Sequence, residues 1–200
     1  MKVSYFPGCA LPGTALDYDE STRAVSALLG VELGELPDWN CCGASSAHVT
    51  DDSLAHGLVA RNLAIAGKEG RDLVVPCAAC YSRFKAGEKE MEAGAHKLNF
   101  RILSLLEFLV DDGLMDQIKG MIKRPLTGLK MVSYYGCLLV RPPKVTGAKK
   151  YENPEEMDRL LKLLGAEAIP WSYKTDCCGG SLVLTRTDIV RRLTRKLWTT

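Results

Sequence analysis

Cys41-Cys42-Gly43-Ala44-Ser45 returns as Cys177-Cys178-Gly179-Gly180-Ser181, and the reading of this doubled stretch decides the fold. Outward from it, the same landmarks surround both copies. Leu28-Leu29-Gly30-Val31-Glu32 returns as Leu163-Leu164-Gly165-Ala166-Glu167. Ser4-Tyr5-Phe6-Pro7-Gly8-Cys9 returns, one residue shorter, as Ser133-Tyr134-Tyr135-Gly136-Cys137. An aspartate, Asp52 or Asp188, stands ten residues beyond each cysteine pair. Four matches in one order mark an internal duplication. The turn-rich Arg124-Pro125-Leu126-Thr127-Gly128 separates the copies, so two domains are expected, 1–124 and 125–200.

In the first copy, residues 2–6 are a short β-branched and aromatic run stopped by Pro7-Gly8, and 31–36 and 73–75 read as two further strands. Between them the pattern gives a helix over 17–29 that presents Val25, Leu28 and Leu29 on one face. A second helix, capped by Ser45 or Ser46, uses Leu54, Leu58, Leu63 and Ile65 as its apolar face. A third runs over 77–91, and 98–122 carries another helical pattern through Leu98, Ile102, Leu105, Leu106 and Leu109. Strand–loop–helix thus occurs three times, which argues for an α/β unit with a mainly parallel sheet. The cysteines fall just after strands, and open parallel sheets bind ligands at the carboxyl ends of their strands. Cys9, Cys41, Cys42, Cys77 and Cys80 are therefore expected to converge. The second copy reads as a strand over 130–135, a solvated loop over 141–153, a helix over 154–164 with Pro154 in its first turn, and a helix from Thr187. In the first copy Cys77-Ala78-Ala79-Cys80 begins 35 residues after Cys42. The same interval after Cys178 runs past Thr200, so the second copy is expected to be truncated before its Cys-x2-Cys.

Composition narrows the classes of function. A net charge of +2 with no basic stripe points to neither nucleic acid nor an anionic membrane as partner. The N-terminus lacks the apolar stretch of a signal peptide, and no apolar run approaches a membrane span. A cytoplasmic protein without a transmembrane segment is expected. In a reducing compartment, eight clustered cysteines favour metal binding or catalysis over disulfides. Their spacing argues against the bland alternative of small buried hydrophobes.

A Cys-x2-Cys pair alone is shared by zinc ribbons and redox dithiols. The adjacent Cys41-Cys42 discriminates better, because neighbouring side chains point in different directions and suit a multinuclear cluster more than one tetrahedral ion. Five thiolates also exceed the four that a structural zinc takes, and soft donors without neighbouring carboxylate or imidazole favour iron–sulfur.

These residues resemble the CCG cysteine-rich domain, and Tyr5-Phe6-Pro7-Gly8-Cys9 looks like the B-type subunit of heterodisulfide reductase in particular. The similarity runs from Met1 to about Lys196. The resemblance implies two CCG domains related by a pseudo-twofold axis, each holding a noncubane [4Fe-4S] cluster through five cysteines. It assigns Cys9, Cys41, Cys42, Cys77 and Cys80 to one cluster, and gives Cys137, Cys177 and Cys178 three of the five ligand positions of the other. It further implies reduction of a small disulfide. Electrons would come from a ferredoxin-type protein like the family's C-type subunit, fed by a flavin-containing protein like its A-type subunit. Two departures stand out. The last Cys-x2-Cys is missing, so this chain alone is expected to be inactive. Leu138 occupies the place where some members have His.

Other residues divide between chemistry and plain structure. His48, shortly after the first pair, is either a proton donor toward a cluster or part of a helix start. His56 and His96 read as exposed. The glycines beside the cysteines serve as turn punctuation or as room for close approach of a cluster. Arg141-Pro142-Pro143-Lys144 is either a holder for an anionic head group or an exposed loop, and 186–196 reads as a solvated basic helix face. Competing with the disulfide-reductase reading is an iron–sulfur subunit of another oxidoreductase, linked to a hydroxy acid, fumarate or quinone. A zinc-stabilised interaction module is the non-enzymatic alternative.

Overall fold

The structure, a computed structural model, describes residues 1–44, 47–111 and 113–199, without the side chains of His48 and Asp111. The expected cap at Ser45 or Ser46 and the His48 side chain lie outside the described residues. The chain divides into two units, Met1–Lys123 and Arg124–Thr200.

The first unit is α/β. Its strands are β1 (Lys2–Tyr5), β2 (Glu32–Glu35), β3 (Leu73–Val75) and β4 (Ile102–Ser104), ordered β2-β1-β3-β4 with every pairing parallel. Helices α1 (Leu16–Leu28), α2 (Ala47–Thr50), α3 (Asp52–Glu69), α4 (Ala78–Ala93), α5 (Leu105–Asp111) and α6 (Leu114–Met121) complete it. All three side chains of β3 are fully buried, which identifies it as a central strand covered on both faces. Each such aliphatic contributes about 1.5–3 kcal/mol by leaving water. Val3, Val31, Val74, Phe108 and Leu114 form one core cluster, with Leu29 packed against it. Phe6 meets the rings of Phe84 at 4.7 Å and Trp39 at 5.3 Å, both edge to face.

Three expectations for this unit are corrected. Residues 98–122 are not one helix: β4 comes first, and α5 begins only after Ser104. Ser104 and Glu107 form a reciprocal capping box, the Ser104 N–H donating to Glu107 Oε2 at 2.8 Å and the Glu107 N–H to Ser104 Oγ at 3.2 Å. Helix α1 buries Asp19, Thr22 and Ser26, whereas Val25 and Leu28 are exposed. Its polar face turns inward because it is paired there. Tyr5 Oη donates to Asp19 Oδ1 at 2.6 Å, and Arg23 Nε donates to Asp19 Oδ2 at 2.7 Å. Burial works to raise the Asp19 carboxyl, but these two bonds outweigh it and hold the group below the usual carboxylate range. Helix α3 is capped by Asp51, which accepts from the Leu54 N–H at 3.0 Å. That helix buries Ala55, Val59, Asn62, Leu63 and Ala66, while Leu54 is exposed.

The second unit pairs β5 (Lys130–Met131) with β6 (Glu167–Ala168) in parallel, so the strand expected over 130–135 is shorter. The expected loop over 141–153 contains the short helix α7 (Pro143–Thr146), followed by α8 (Glu156–Leu163), a single 3₁₀ turn (Gly180–Leu182) and α9 (Thr187–Trp198). Lys174 is buried and ion-paired to Asp158, which also accepts from Ser133 Oγ at 2.5 Å.

The register of the two sheets closes the gap that the sequence comparison left in the first motif. Lys2 pairs with Glu32, and Lys130 pairs with Glu167. Each lysine lies seven residues before its cysteine, Cys9 or Cys137. Phe6 therefore corresponds to Tyr134, and Tyr5 to Ser133.

Candidate functional site

Cys9 follows β1, Cys41 and Cys42 follow β2, and Cys77 and Cys80 follow β3. Because those strands are parallel neighbours, all five residues come to one carboxyl edge of the sheet. Cys42 and Cys80 are buried with their sulfurs 3.1 Å apart, whereas Cys9 is exposed. Cys77 is the N-cap of α4 and Cys80 lies in its first turn, at the positive end of the helix dipole. Hydrogen bonding from the Cys80 thiol, opposed by burial, lowers Cys77 to about 6 and Cys42 to about 7. Those same two hydrogen bonds, with burial, push the Cys80 thiol up. Burial raises the Cys9 thiol, and the charges of Cys41, Cys42 and Cys77 raise it further. Tyr18 on α1 is raised by burial and by the charge of Cys77.

The loop carrying Cys41 and Cys42 is anchored by residues that carried no signal in the sequence. Asn62, fully buried on α3, accepts from the Asn40 N–H at 3.0 Å and donates to the Asn40 carbonyl at 2.9 Å. The Asn40 side chain donates in turn to the carbonyls of Cys41 at 2.8 Å and Leu58 at 3.1 Å. Arg61 donates to Asn40 Oδ1 at 2.9 Å and to the Asp38 carbonyl at 2.6 Å. An asparagine and an arginine at helical spacing from leucines read as a polar face, so nothing in the pattern singled them out.

The second unit repeats the loop geometry. Gly43 and Gly179 hold φ of +77° and +76°, and their N–H groups donate to Cys41 Sγ at 3.4 Å and Cys177 Sγ at 3.3 Å. A left-handed glycine is what turns its amide back onto the sulfur two residues earlier. Burial, then the charge and hydrogen bond of Cys177 and the charge of Cys178, raise the Cys137 thiol.

Of the other candidates, Arg141 donates to the buried Thr175 hydroxyl at 3.1 Å. His56 is exposed and lies 3.2 Å from Glu90; exposed His96 is 2.9 Å from the Gly94 carbonyl. Within 186–196, Arg186 pairs with Asp188 at 2.9 Å and Lys196 with Asp176 at 2.9 Å.

Among the described residues no three His, Cys, Asp or Glu side chains are arranged to hold a single metal ion. The donors that meet at the first site are all sulfur, in a number and softness suited to a cluster of several irons. Gly8 lets the backbone pass close to one of these sulfurs. A Cβ added at Gly8, where φ is +61°, would stand 2.9 Å from Cys80 Sγ.

A family model described as a cysteine-rich domain, CCG, matches residues 3–85 and 131–198. The 8-methylmenaquinol:fumarate reductase membrane anchor subunit of Wolinella succinogenes is 30% identical, over 89% of this chain and 67% of its own. The B-type subunit of the ferredoxin/F420H2-dependent CoB-CoM heterodisulfide reductase of Methanosarcina acetivorans is 27% identical, over 89% of this chain and 65% of its own. A protein of Archaeoglobus profundus that is itself like the heterodisulfide reductase B-type subunit is 27% identical over 90% and 66%. The chain thus spans about two thirds of the length of these relatives. Among the described residues no helix is long and apolar enough to cross a membrane.

Proposed function

The chain belongs to the CCG cysteine-rich domain family, and from that premise we propose that it is an iron–sulfur electron-transfer subunit of a reductase complex, of the heterodisulfide reductase B-type kind. The observation that carries this reading is the meeting of Cys42, Cys77 and Cys80, with Cys9 and Cys41 beside them, at one sheet edge. In the proposal these five residues hold a noncubane [4Fe-4S] cluster, and Cys137, Cys177 and Cys178 offer three thiolates toward a second. When bound, such a group supplies one-electron steps, two of which are needed to cleave a disulfide. The chain's own part is to bring the sulfurs together and to favour the thiolate at two of them, Cys42 and Cys77, while the Cys80 and Cys9 thiols are raised. Cys77 at the start of α4 and Cys42 beside Cys80 are already close to anionic near neutral pH. The Gly43 amide directs its N–H at Cys41 and fixes that sulfur. Partners in this reading are a ferredoxin-type protein and a flavin-containing protein, in the cytoplasm.

A second reading is favoured by the 30% identity to a menaquinol:fumarate reductase subunit. In it, the same thiol sites serve a quinol- and fumarate-linked complex. The first test is iron and labile sulfide in anaerobically prepared protein. About four of each per filled site are expected, falling in Cys42→Ala together with a changed electron paramagnetic resonance spectrum. Zinc without sulfide, or full iron with an unchanged spectrum in Cys42→Ala, would remove the proposal. The native complex, given reduced viologen with either a disulfide or fumarate, separates the two readings.

A further inference from the structure

In both units the residue just before the cysteine pair is tied to the helix that follows it, but the ties differ in kind. In the first unit that residue is Asn40, held through its main chain by Asn62, a fully buried amide on α3. In the second it is Asp176, and the tie is ionic: Lys196 on α9 donates to Asp176 Oδ2 at 2.9 Å. The same ammonium stands over the Tyr173 ring, 4.7 Å from its centroid. Tyr173 packs at 5.9 Å against Trp171, and Trp171 edge-on at 6.1 Å against Tyr134. The Tyr134 hydroxyl then donates to the Asp176 carbonyl at 2.8 Å. These contacts close a ring that begins and ends at Asp176. Tyr134 brings in the approach to Cys137, three residues further on, and Lys196 brings in α9. The cysteine pair starts where the ring closes, and the Gly179 N–H then turns back onto Cys177 Sγ at 3.3 Å.

We propose that Lys196 is a positioning residue of the Cys177-Cys178 loop: gripping Asp176 and Tyr173 together, its ammonium closes the ring that fixes where the loop begins. This goes beyond the iron–sulfur reading and does not depend on what the cysteines hold. The two side chains of the pair are 53% and 39% exposed, so the fold as a whole gains little from it. Its effect is local. A neutral side chain at 196 leaves the Asp176 carboxylate to solvent, with the Asp176 main chain still held by Tyr134 and by the Tyr173 carbonyl. Exposure also makes the grip sensitive to ionic strength, because salt screens an exposed pair far more than a buried amide clamp such as Asn62.

The test is amide hydrogen exchange over 174–181, followed by mass spectrometry in the full-length protein prepared anaerobically. Wild type, Lys196→Gln, Lys196→Arg and Arg192→Gln are compared at low salt and in about 0.5 M sodium chloride, where charges are screened within roughly 4 Å. At low salt, exchange over 174–181 should be about threefold or more faster in Lys196→Gln, the scale of one exposed ion pair joined to a cation–π contact. Lys196→Arg keeps the charge and can still lie over Tyr173, so it should restore most of the protection. Arg192→Gln removes a cation from the same helix that faces Asp188 at 3.9 Å, and should change nothing over 174–181. High salt should carry wild type toward Lys196→Gln and leave that variant unmoved. Exchange over 38–43 in the first unit should be the same in all four proteins. Protein that binds no iron and sulfide would remove the iron–sulfur reading while leaving this comparison intact. Unchanged exchange in Lys196→Gln, or equal acceleration in Arg192→Gln, would overturn the present inference. So would an acceleration that Lys196→Arg shares in full, or one that high salt does not reproduce in wild type, since either would mean that the charge is not what holds the loop.

Discussion

Asn62→Ala is expected to loosen the first thiol site from behind without touching a sulfur. The Asn62 side chain is fully buried and makes two hydrogen bonds of 3.0 and 2.9 Å to the N–H and C=O of Asn40, the residue before Cys41. Truncation removes both bonds, each worth about 1 kcal/mol net, and strands two main-chain groups where access to water is limited. Because Asn40 is only partly buried, some of that penalty is recovered by solvent, and a loss of about 2–4 kcal/mol results. That is a large share of the ~5–15 kcal/mol that holds a domain together, yet it leaves the unit folded. The melting temperature should fall by roughly 10 °C. The consequence at the site should exceed that for a core truncation of equal cost. Asn40 also ties the Cys41 carbonyl to α3, so the whole Cys-Cys-Gly turn loses its anchor. Thermal unfolding by circular dichroism gives the stability change, and iodoacetamide mapping gives the accessibility of Cys41 and Cys42. Leu63→Ala, a neighbouring buried truncation, serves as the reference. An Asn62→Ala protein within ~0.5 kcal/mol of wild type, or one whose cysteines react no faster than those of Leu63→Ala, would show that the clamp does not position the loop.

Three further outcomes follow from the same geometry. Gly8→Ala should destabilise the first unit by about 1–3 kcal/mol by urea unfolding, because φ is +61° and the new Cβ would stand 2.9 Å from Cys80 Sγ; Gly30→Ala, also at positive φ with open space around it, should cost less. In metal-free protein, the alkylation rate of Cys77 should fall to half near pH 6 instead of near 9. The sign follows from a depressed folded-state value: this thiolate stabilises the fold fully above its unfolded pKa near 9, and the contribution is lost as pH falls through about 6. Asp158→Ala leaves the buried Lys174 ammonium without its carboxylate and should cost about 3–5 kcal/mol, seen as proteolysis confined to Arg124–Thr200.

How much of this was legible in the sequence depended on whether the signal was local. The strands of the first unit that precede its cysteines were readable because β-branched runs end at Pro7-Gly8 and Pro76, and their parallel order then brought five distant cysteines to one edge. The fourth strand was missed because Ile102-Leu103-Ser104-Leu105-Leu106 is a short apolar run that fits helix and strand alike. The arbiter was present in Ser104-Leu105-Leu106-Glu107, a capping box that starts a helix at Leu105. The inverted face of α1 had no such local clue. Asp19 turns inward only because Tyr5, fourteen residues earlier on a strand, and Arg23, a turn later, meet it there. Asn62 was invisible for the same reason, since its partner Asn40 lies across a loop.

The two copies within the chain serve as each other's control for what the site requires. What recurs is the sulfur-holding loop: cysteine pair, left-handed glycine, amide turned onto the first sulfur, within 0.1 Å of the same distance. What does not recur is the polar stitch between helix and sheet. The first unit buries Asp19 against Arg23 with a tyrosine from β1 as third member. In the second, Asp158 is held by Lys174, from the approach to the cysteine pair, with Ser133 at the position of Tyr5. In each unit a carboxylate is held by a cation and a hydroxyl, but these come from different elements. In the second unit the cation comes from the residue whose carbonyl receives the N–H groups of Tyr135 and Gly136 at 2.8 and 3.2 Å. The ion pair there is continuous, through one peptide, with both loops that carry its cysteines. Stability and sulfur placement are accordingly coupled in the second unit through Lys174, and in the first through Asn62 and Asn40, which is why the same kind of truncation should reach the thiols by different routes in the two halves.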